Sequence, residues 1–433
     1  MSCRGAPCPV LNFCVIPCFL APSARPYPLP REARGVSSSL LLADHRTALA
    51  ASWAAPRSAF LAAHGGKLYA GNGYWEDRPG PEGLQGAQIL VLDGPGGRWR
   101  VDHSFYERLP SGRPRDLAVS ALAEVSFATD GTEARLPRPS SLLIASTWDL
   151  TGATRIFSRD DATGAWTAAT LAQNRPAPDF LPQIRSFAVH RDRQTGIDLV
   201  FAGQDPRGIF SGGYDATVPG RIRWTATPEL DISRISTSAF SGLGGRLRVS
   251  SFAECNNRLY AAVGQQIYER IDGREPQWSL LYTNPHPGHS ETGLRGLTAV
   301  PAASGGSDVL LAAVEGSAPR VVRVDPKYGG EATDLDLVEF LNSRWQTQVG
   351  YVIAAYDDMT KIRDLLLLGL EAFIPSRSPV PEGHRVFDIG RGRLEAGGWY
   401  LVRYPGGRYD LRSINTSQVL GGDAYDSRVA FPP

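Results

Sequence analysis

Arginine recurs at matching places along this chain. Arg57, Arg115, Arg185, Arg248 and Arg295 each stand at the entry to a short apolar run rich in small residues; Arg428 does so near the C-terminus, and Gln348 takes the place before Tyr351. Guanidinium groups gathered at one opening would pair bidentately with carboxylate, phosphate or sulfate. The same arginines would serve as structural ion-pair partners for neighbouring acids. A second set follows the next apolar run of each unit: Asn72, Asp149, Asp205, Glu315 and Glu371. Oxygen ligands converging from several units suit Ca²⁺ or another hard cation, which can activate water for ester or lactone hydrolysis. His286 and His289, with Glu291, lie in a Pro- and Gly-containing segment (Asn284 to Arg295). They are candidate metal ligands or a general base, though a loop gives no helical spacing to align the rings. Tyr74 and Trp75 offer faces on which a sugar or planar ligand could stack, and Trp148 stands beside Asp149. Cys255 has no histidine nearby in sequence, so it reads as a buried small hydrophobe rather than a nucleophile. Nucleotide-cradling glycine motifs, the Gly-x-Ser-x-Gly elbow and the His-Glu-x-x-His pair do not occur.

These residues need elements to position them, and the sequence repeats with a period of roughly 40–70 residues. Each unit opens with a short strand, such as Leu117 to Leu122, Ser186 to Val189 or Gly296 to Val300. After a turn comes a second apolar strand, such as Leu142 to Ala145, Leu199 to Ala202 or Val309 to Ala313. The runs are apolar without strict alternation, as expected for strands buried on both faces. A third strand, a polar turn and an aromatic fourth strand follow, clearest in QILVLDGPGGRW (88–99), RIFSRDDATGAW (155–166) and QIYERIDGREPQW (266–278). Gly, Asp and Pro supply the turn of that hairpin.

Four strands per unit, repeated six times, predict an all-β β-propeller, because no unit can bury both sheet faces alone and stacking around an axis buries them. The units run at 57–103, 114–172, 184–230, 247–283, 294–340 and 349–414. In repeat length and strand logic the chain resembles kelch-like and related six- or seven-bladed propellers. It carries none of their diagnostic motifs, so the resemblance implies a fold and no particular family. Six complete blades are expected; Ser427 to Phe431 looks like another innermost strand and leaves seven open. Leu335, Val338 and Leu341 predict a short helical insertion before the last blade. In a propeller, loops leaving the second strands and entering the first meet at one mouth of the central channel, which gathers the residues named above. Tyr356-Asp-Asp358 and Glu254-Cys-Asn256 should fall on the opposite face.

Composition limits the function classes. Gly (46) and Pro (33) together exceed what a helical protein carries, which suits many short strands and turns. Net charge is +1, from 45 basic and 44 acidic residues, which argues against a dedicated nucleic-acid binder. The only lysines are Lys67, Lys327 and Lys361, an arginine bias that codon composition explains, giving the bacterial-type composition. Cys3, Cys8, Cys14 and Cys18 crowd the start, around an apolar run (10–21) broken by prolines. The run is too short to span a bilayer, so no integral membrane association is expected. It reads as a weak export signal or a disordered leader, leaving cytoplasmic and exported locations both open. Residues 1–36 are taken as a leader or flexible segment and 37–433 as one propeller domain. The expected function is a binding propeller that holds a small anionic or glycan-like ligand, or a protein partner, at the channel mouth. The alternatives are a metal-dependent hydrolase or lyase using the mouth acids, and a purely structural interaction propeller.

Overall fold

The computed structural model describes residues 57–413, apart from 74–85, 95–96, 175–181, 236–246, 289, 291–292, 303–304, 357–364, 381–385 and 389–391. The expected leader, Tyr74, Trp75, His289, Arg428 and the candidate seventh-blade strand therefore lie outside the described residues.

The protein is a ring of six antiparallel blades. Blade 1 holds β1 (Arg57–His64), β2 (Lys67–Gly73), β3 (Gln88–Leu92) and β4 (Arg100–Ser104). Blade 2 holds β5 (Asp116–Thr129), β6 (Arg135–Asp149), β7 (Ala153–Arg159) and β8 (Trp166–Gln173), and Gly73 pairs with Ala118 across the two blades. Blade 3 holds β9 (Gln183–Arg191), β10 (Asp198–Asp205), β11 (Gly208–Tyr214), and two short outer pieces, β12 (Ile222–Trp224) and β13 (Leu230–Asp231). Blade 4 holds β14 (Val249–Cys255), β15 (Arg258–Val263), β16 (Gln266–Ile271) and β17 (Gln277–Thr283). Blade 5 holds β18 (Leu294–Val300), β19 (Val309–Val314), β20 (Arg320–Val324) and β21 (Glu331–Asp336). Blade 6 holds β22 (Tyr351–Tyr356), β23 (Leu366–Pro375), β24 (Val386–Asp388), β25 (Gly392–Arg403) and β26 (Tyr409–Ser413).

Hydrophobic clusters explain why the blades stack. One joins Tyr69 and Ile89 of blade 1 to Val119, Leu143 and Phe157 of blade 2. Further clusters repeat this between blades 2 and 3, 3 and 4, 4 and 5, and 5 and 6. Blades 2 to 5 thus bury both sheet faces, which accounts for their unbroken apolar runs. Close approach needs glycine at two matching places. A Cβ on Gly71 would come within 2.5 Å of Val119, and one on Gly203 within 2.6 Å of Val249.

Three blade junctions carry the same polar clamp. Asp102 on β4 accepts from Nε and Nη2 of Arg159 at 3.1 and 3.2 Å and from the Trp166 indole at 3.0 Å. Glu229, beside β13, accepts from Nε and Nη2 of Arg270 at 2.8 and 3.3 Å and from the Trp278 indole at 3.3 Å. Asp334 on β21 accepts from Nε and Nη2 of Arg403 at 2.8 and 3.2 Å and from the Tyr409 hydroxyl at 2.7 Å. The acid always comes from an odd-numbered blade, and the arginine and aromatic from the following even-numbered blade. The blades are therefore paired 1–2, 3–4 and 5–6.

Two local features differ from the sequence reading. The hairpin β5–β6 runs longer than one blade strand, and its turn hydrogen-bonds blade 3 through Gly131 N to the Tyr214 carbonyl at 2.9 Å. The helix, α1 (Leu337–Trp345), starts after Asp336, whose carboxylate caps it by accepting from Glu339 N. It buries Leu337, Leu341 and Trp345 rather than the face through Leu335 and Val338, because β21 claims residues up to Asp336. Among the described residues no helix is long and apolar enough to cross a membrane.

Candidate functional site

The first strand of each blade starts, and the second ends, at the same face of the ring, so the recurring arginines and acids meet there. In blade 2, Arg115 precedes β5 and Asp149 ends β6; Nε of Arg115 donates to Asp149 at 2.9 Å. Nη1 of Arg115 also holds Glu107 at 2.7 Å. In blade 3, Nε of Arg185 donates to Asp205 at 2.5 Å. In blade 5, Nε of Arg295 donates to Glu315. Each arginine therefore meets an acid of its own blade, since antiparallel pairing sets the start of the first strand beside the end of the second.

Asp205 and Glu315 also reach the next blade. Asp205 accepts from Val249 N of blade 4 at 3.1 Å, and Arg248 adds positive charge beside it. Glu315 accepts from the Tyr351 hydroxyl of blade 6 at 2.8 Å. Burial pushes the Asp205 carboxyl up, against the opposing pull of Arg185 and Arg248. Burial likewise pushes up Asp116, opposed by the Thr147 hydroxyl at 2.5 Å and by Arg155, which donates to both carboxylate oxygens at 2.7 Å. The Asp116–Arg155 pair was missed in the sequence. Nε of Arg155 also lies 3.1 Å from Asp149, so this pair joins the Arg115 site through a β7 residue that the recurrence of Arg115 does not mark.

In blades 1 and 4 amides stand at the end of the second strand. Asn72, at the end of β2, is buried and faces Gln88 at 3.5 Å. Gln265, between β15 and β16, accepts from Asn284 at 2.7 Å. Among the described residues, Nη2 of Arg185 and Nε2 of Gln265 are donors without a protein partner, and Oδ1 of Asn72 and Oε1 of Gln183 are acceptors without one.

The other predicted residues are dispersed. Arg57 opens β1, and Trp148 is half-buried beside Asp149. Glu371 is buried within β23 opposite Ile353, because that strand continues to Pro375 instead of ending in a loop. His286 is exposed, and its backbone N–H donates to Asn284 at 3.0 Å. Asp149, Asp205 and Glu315 each turn to an arginine instead of converging, and among the described residues no group of three or more His, Cys, Asp or Glu side chains is placed to hold a metal ion. Cys255 is buried at the opposite face, where burial pushes its thiol up to about 12.

The sequence matches no protein-family model and no curated protein sequence. Three solved structures show what the chain is similar to. Saccharomyces cerevisiae Sqt1 is 11% identical, with a TM-score of 0.40, over 82% of this chain and 84% of that one. The Aleuria aurantia lectin, a fungal lectin with a six-bladed β-propeller fold and a fucose recognition mode, is 9% identical, with a TM-score of 0.38, over 82% and 93%. The Niastella koreensis GH74 enzyme is 12% identical, with a TM-score of 0.40, over 82% of this chain and 45% of that one.

Proposed function

We propose that this protein is a binding propeller whose channel mouth takes a neutral, glycan-like ligand. One observation carries the reading: Arg115, Arg185 and Arg295 are each already paired with a carboxylate. A neutralised rim offers donors and acceptors in a mixed array and little net field for an anion. A polyhydroxylated ligand, whose hydroxyls both donate and accept, fits such a rim better than phosphate or sulfate. The same pairing weakens the hydrolase alternative, because acids held by guanidinium groups are poorly placed to ligate a metal or carry protons.

Titration with neutral and with sulfated oligosaccharides at two salt concentrations tests this. The expected result is saturable binding of a neutral glycan that salt hardly changes. Arg115→Met should weaken it about tenfold, the loss of a hydrogen bond to a charged group. Binding of the sulfated ligand alone, abolished by salt, would return the mouth to an anion site.

A further inference from the structure

A cleft opens between blades 4 and 5, outside the channel mouth. Its volume is about 440 Å³, within the usual range for small-molecule sites. Pro285 and His286, beyond β17, form one wall. Pro319, Arg320, Glu331 and Thr333 of blade 5 form the other. It lies at a junction built differently from the three clamped ones. Here the acid, Glu331, belongs to the later blade, and the aromatic, Tyr282, to the earlier one.

The polar groups of the cleft are fixed before any ligand arrives. Nη2 of Arg320 donates to Asn284 Oδ1 at 2.5 Å, and its Nη1 donates to the His286 carbonyl at 3.1 Å. The same guanidinium lies 3.4 Å from Glu331. The other oxygen of Glu331 accepts from the Tyr282 hydroxyl at 2.7 Å. Burial and the neighbouring Glu331 push the Tyr282 phenol up, so it stays a donor at ordinary pH. Asn284 in turn donates to Gln265, which ties this network to the channel mouth.

We infer that this cleft is a second binding site, for a neutral ring-shaped polyol of monosaccharide size. The guanidinium is compensated by Glu331, so an anion finds no net positive charge. Asp336 at the rim adds a further negative group. Donors (Arg320, Thr333) and acceptors (Glu331, Thr333) stand together at one wall. Pro285, Pro319, Ala332 and Val338 supply apolar surface, which suits the C–H face of a sugar ring. The cleft would take the same ligand class as the mouth, and Asn284, bonded to Gln265, is the residue that the two share.

Calorimetric titration of the full chain with methyl glycosides of neutral hexoses tests it, with inorganic phosphate and putrescine as the anionic and cationic probes. Thr333→Trp, at an exposed position on β21, fills the cleft while leaving Arg320, Asn284, Glu331 and Tyr282 unsubstituted. Glu331→Gln removes the charged acceptor. One equivalent of glycoside binding should vanish in Thr333→Trp, and the affinity of that equivalent should fall about tenfold in Glu331→Gln. Melting curves check that both variants fold. Binding that survives Thr333→Trp but falls in Arg115→Met places the sugar at the mouth alone and overturns the cleft site. Loss in Thr333→Trp with Arg115→Met unaffected upholds the cleft and sinks the mouth reading. Failure of every glycoside, or competition at this site by phosphate or putrescine, also overturns it.

Discussion

The junction between blades 3 and 4 and the junction between blades 4 and 5 use the same kinds of residue to different ends. At the first, Arg270 is almost completely buried and holds Glu229, Asp192 and Asp272 at 2.7–2.9 Å. His190 adds a bond to Asp272 at 3.1 Å. At the second, Arg320 lies at the edge of an open cleft, satisfied by an amide, backbone carbonyls and one acid. The difference traces to one strand position. Three residues after the buried Ile89, Ile156, Ile209, Ile267, Val321 and Tyr400 stand Leu92, Arg159, Gly212, Arg270, Val324 and Arg403. Arginine appears there only in even-numbered blades, where it reaches back to an acid on the preceding odd blade. Blade 5 has Val324 instead, so its junction with blade 4 is held by apolar packing and by the bonds from Tyr282 to Glu331 and from Arg320 to Asn284, with the cleft beside them. Clamping and site formation thus compete for the same space.

Four measurements test the contrast between the two junctions. Arg270→Ala should have the largest effect, about 3–5 kcal/mol of unfolding free energy, because it strands several buried carboxylates. Denaturant unfolding measures it, and a cost below about 1 kcal/mol would mean that the clamp contributes nothing special. Asp334→Asn should cost about 2 kcal/mol by the same measurement, since the charge-assisted bonds from Arg403 become neutral ones. Tyr282→Phe should cost only about 1 kcal/mol at neutral pH, the value of one hydroxyl bond to Glu331 at an open junction.

The pH dependence separates the junctions by sign. Burial alone would raise Asp192 and Asp272. Hydrogen bonds from Thr195 N, Arg270 and Gly273 N hold Asp192 below the ordinary carboxylate range, and Arg193 and His190 do so for Asp272. Their stabilisation is present above the ordinary carboxylate value, about pH 4, and is lost as pH falls through and below it. Tyr282 is raised, so its contribution is present below about pH 10 and is lost as pH climbs beyond. Unfolding midpoints across pH should therefore show acid loss that Arg270→Ala reduces, and alkaline loss that Tyr282→Phe reduces. Acid loss unchanged by Arg270→Ala would show that the depressed carboxylates owe little to the clamp.

Much of the architecture was legible in the residues. Blade boundaries read from apolar runs and turn signals fall within a few residues of the strands, because a strand buried on both faces must be continuously apolar and must end where Gly, Asp or Pro turns the chain. The buried, unreactive setting expected for Cys255 from the absence of a nearby histidine is the one it has. The site was less legible. Recurrence located Arg115, Arg185 and Arg295 at one face, yet a repeated arginine looks the same whether it waits for an anion or already holds Asp149, Asp205 or Glu315.

Local periodicity and strand direction, both carried by the residues in order, set the six-unit period, the all-β class and the face toward which the recurring polar residues lie. Packing of the folded ring settles that Arg115, Arg185 and Arg295 are neutralised, that the blades are clamped in pairs, and that a cleft opens between blades 4 and 5. Those depend on which side chains of different blades meet, often across more than forty residues of sequence, as between Asp334 and Arg403 or Asp102 and Arg159. Stacking of the blades sets such meetings, and no pattern within a single blade encodes them.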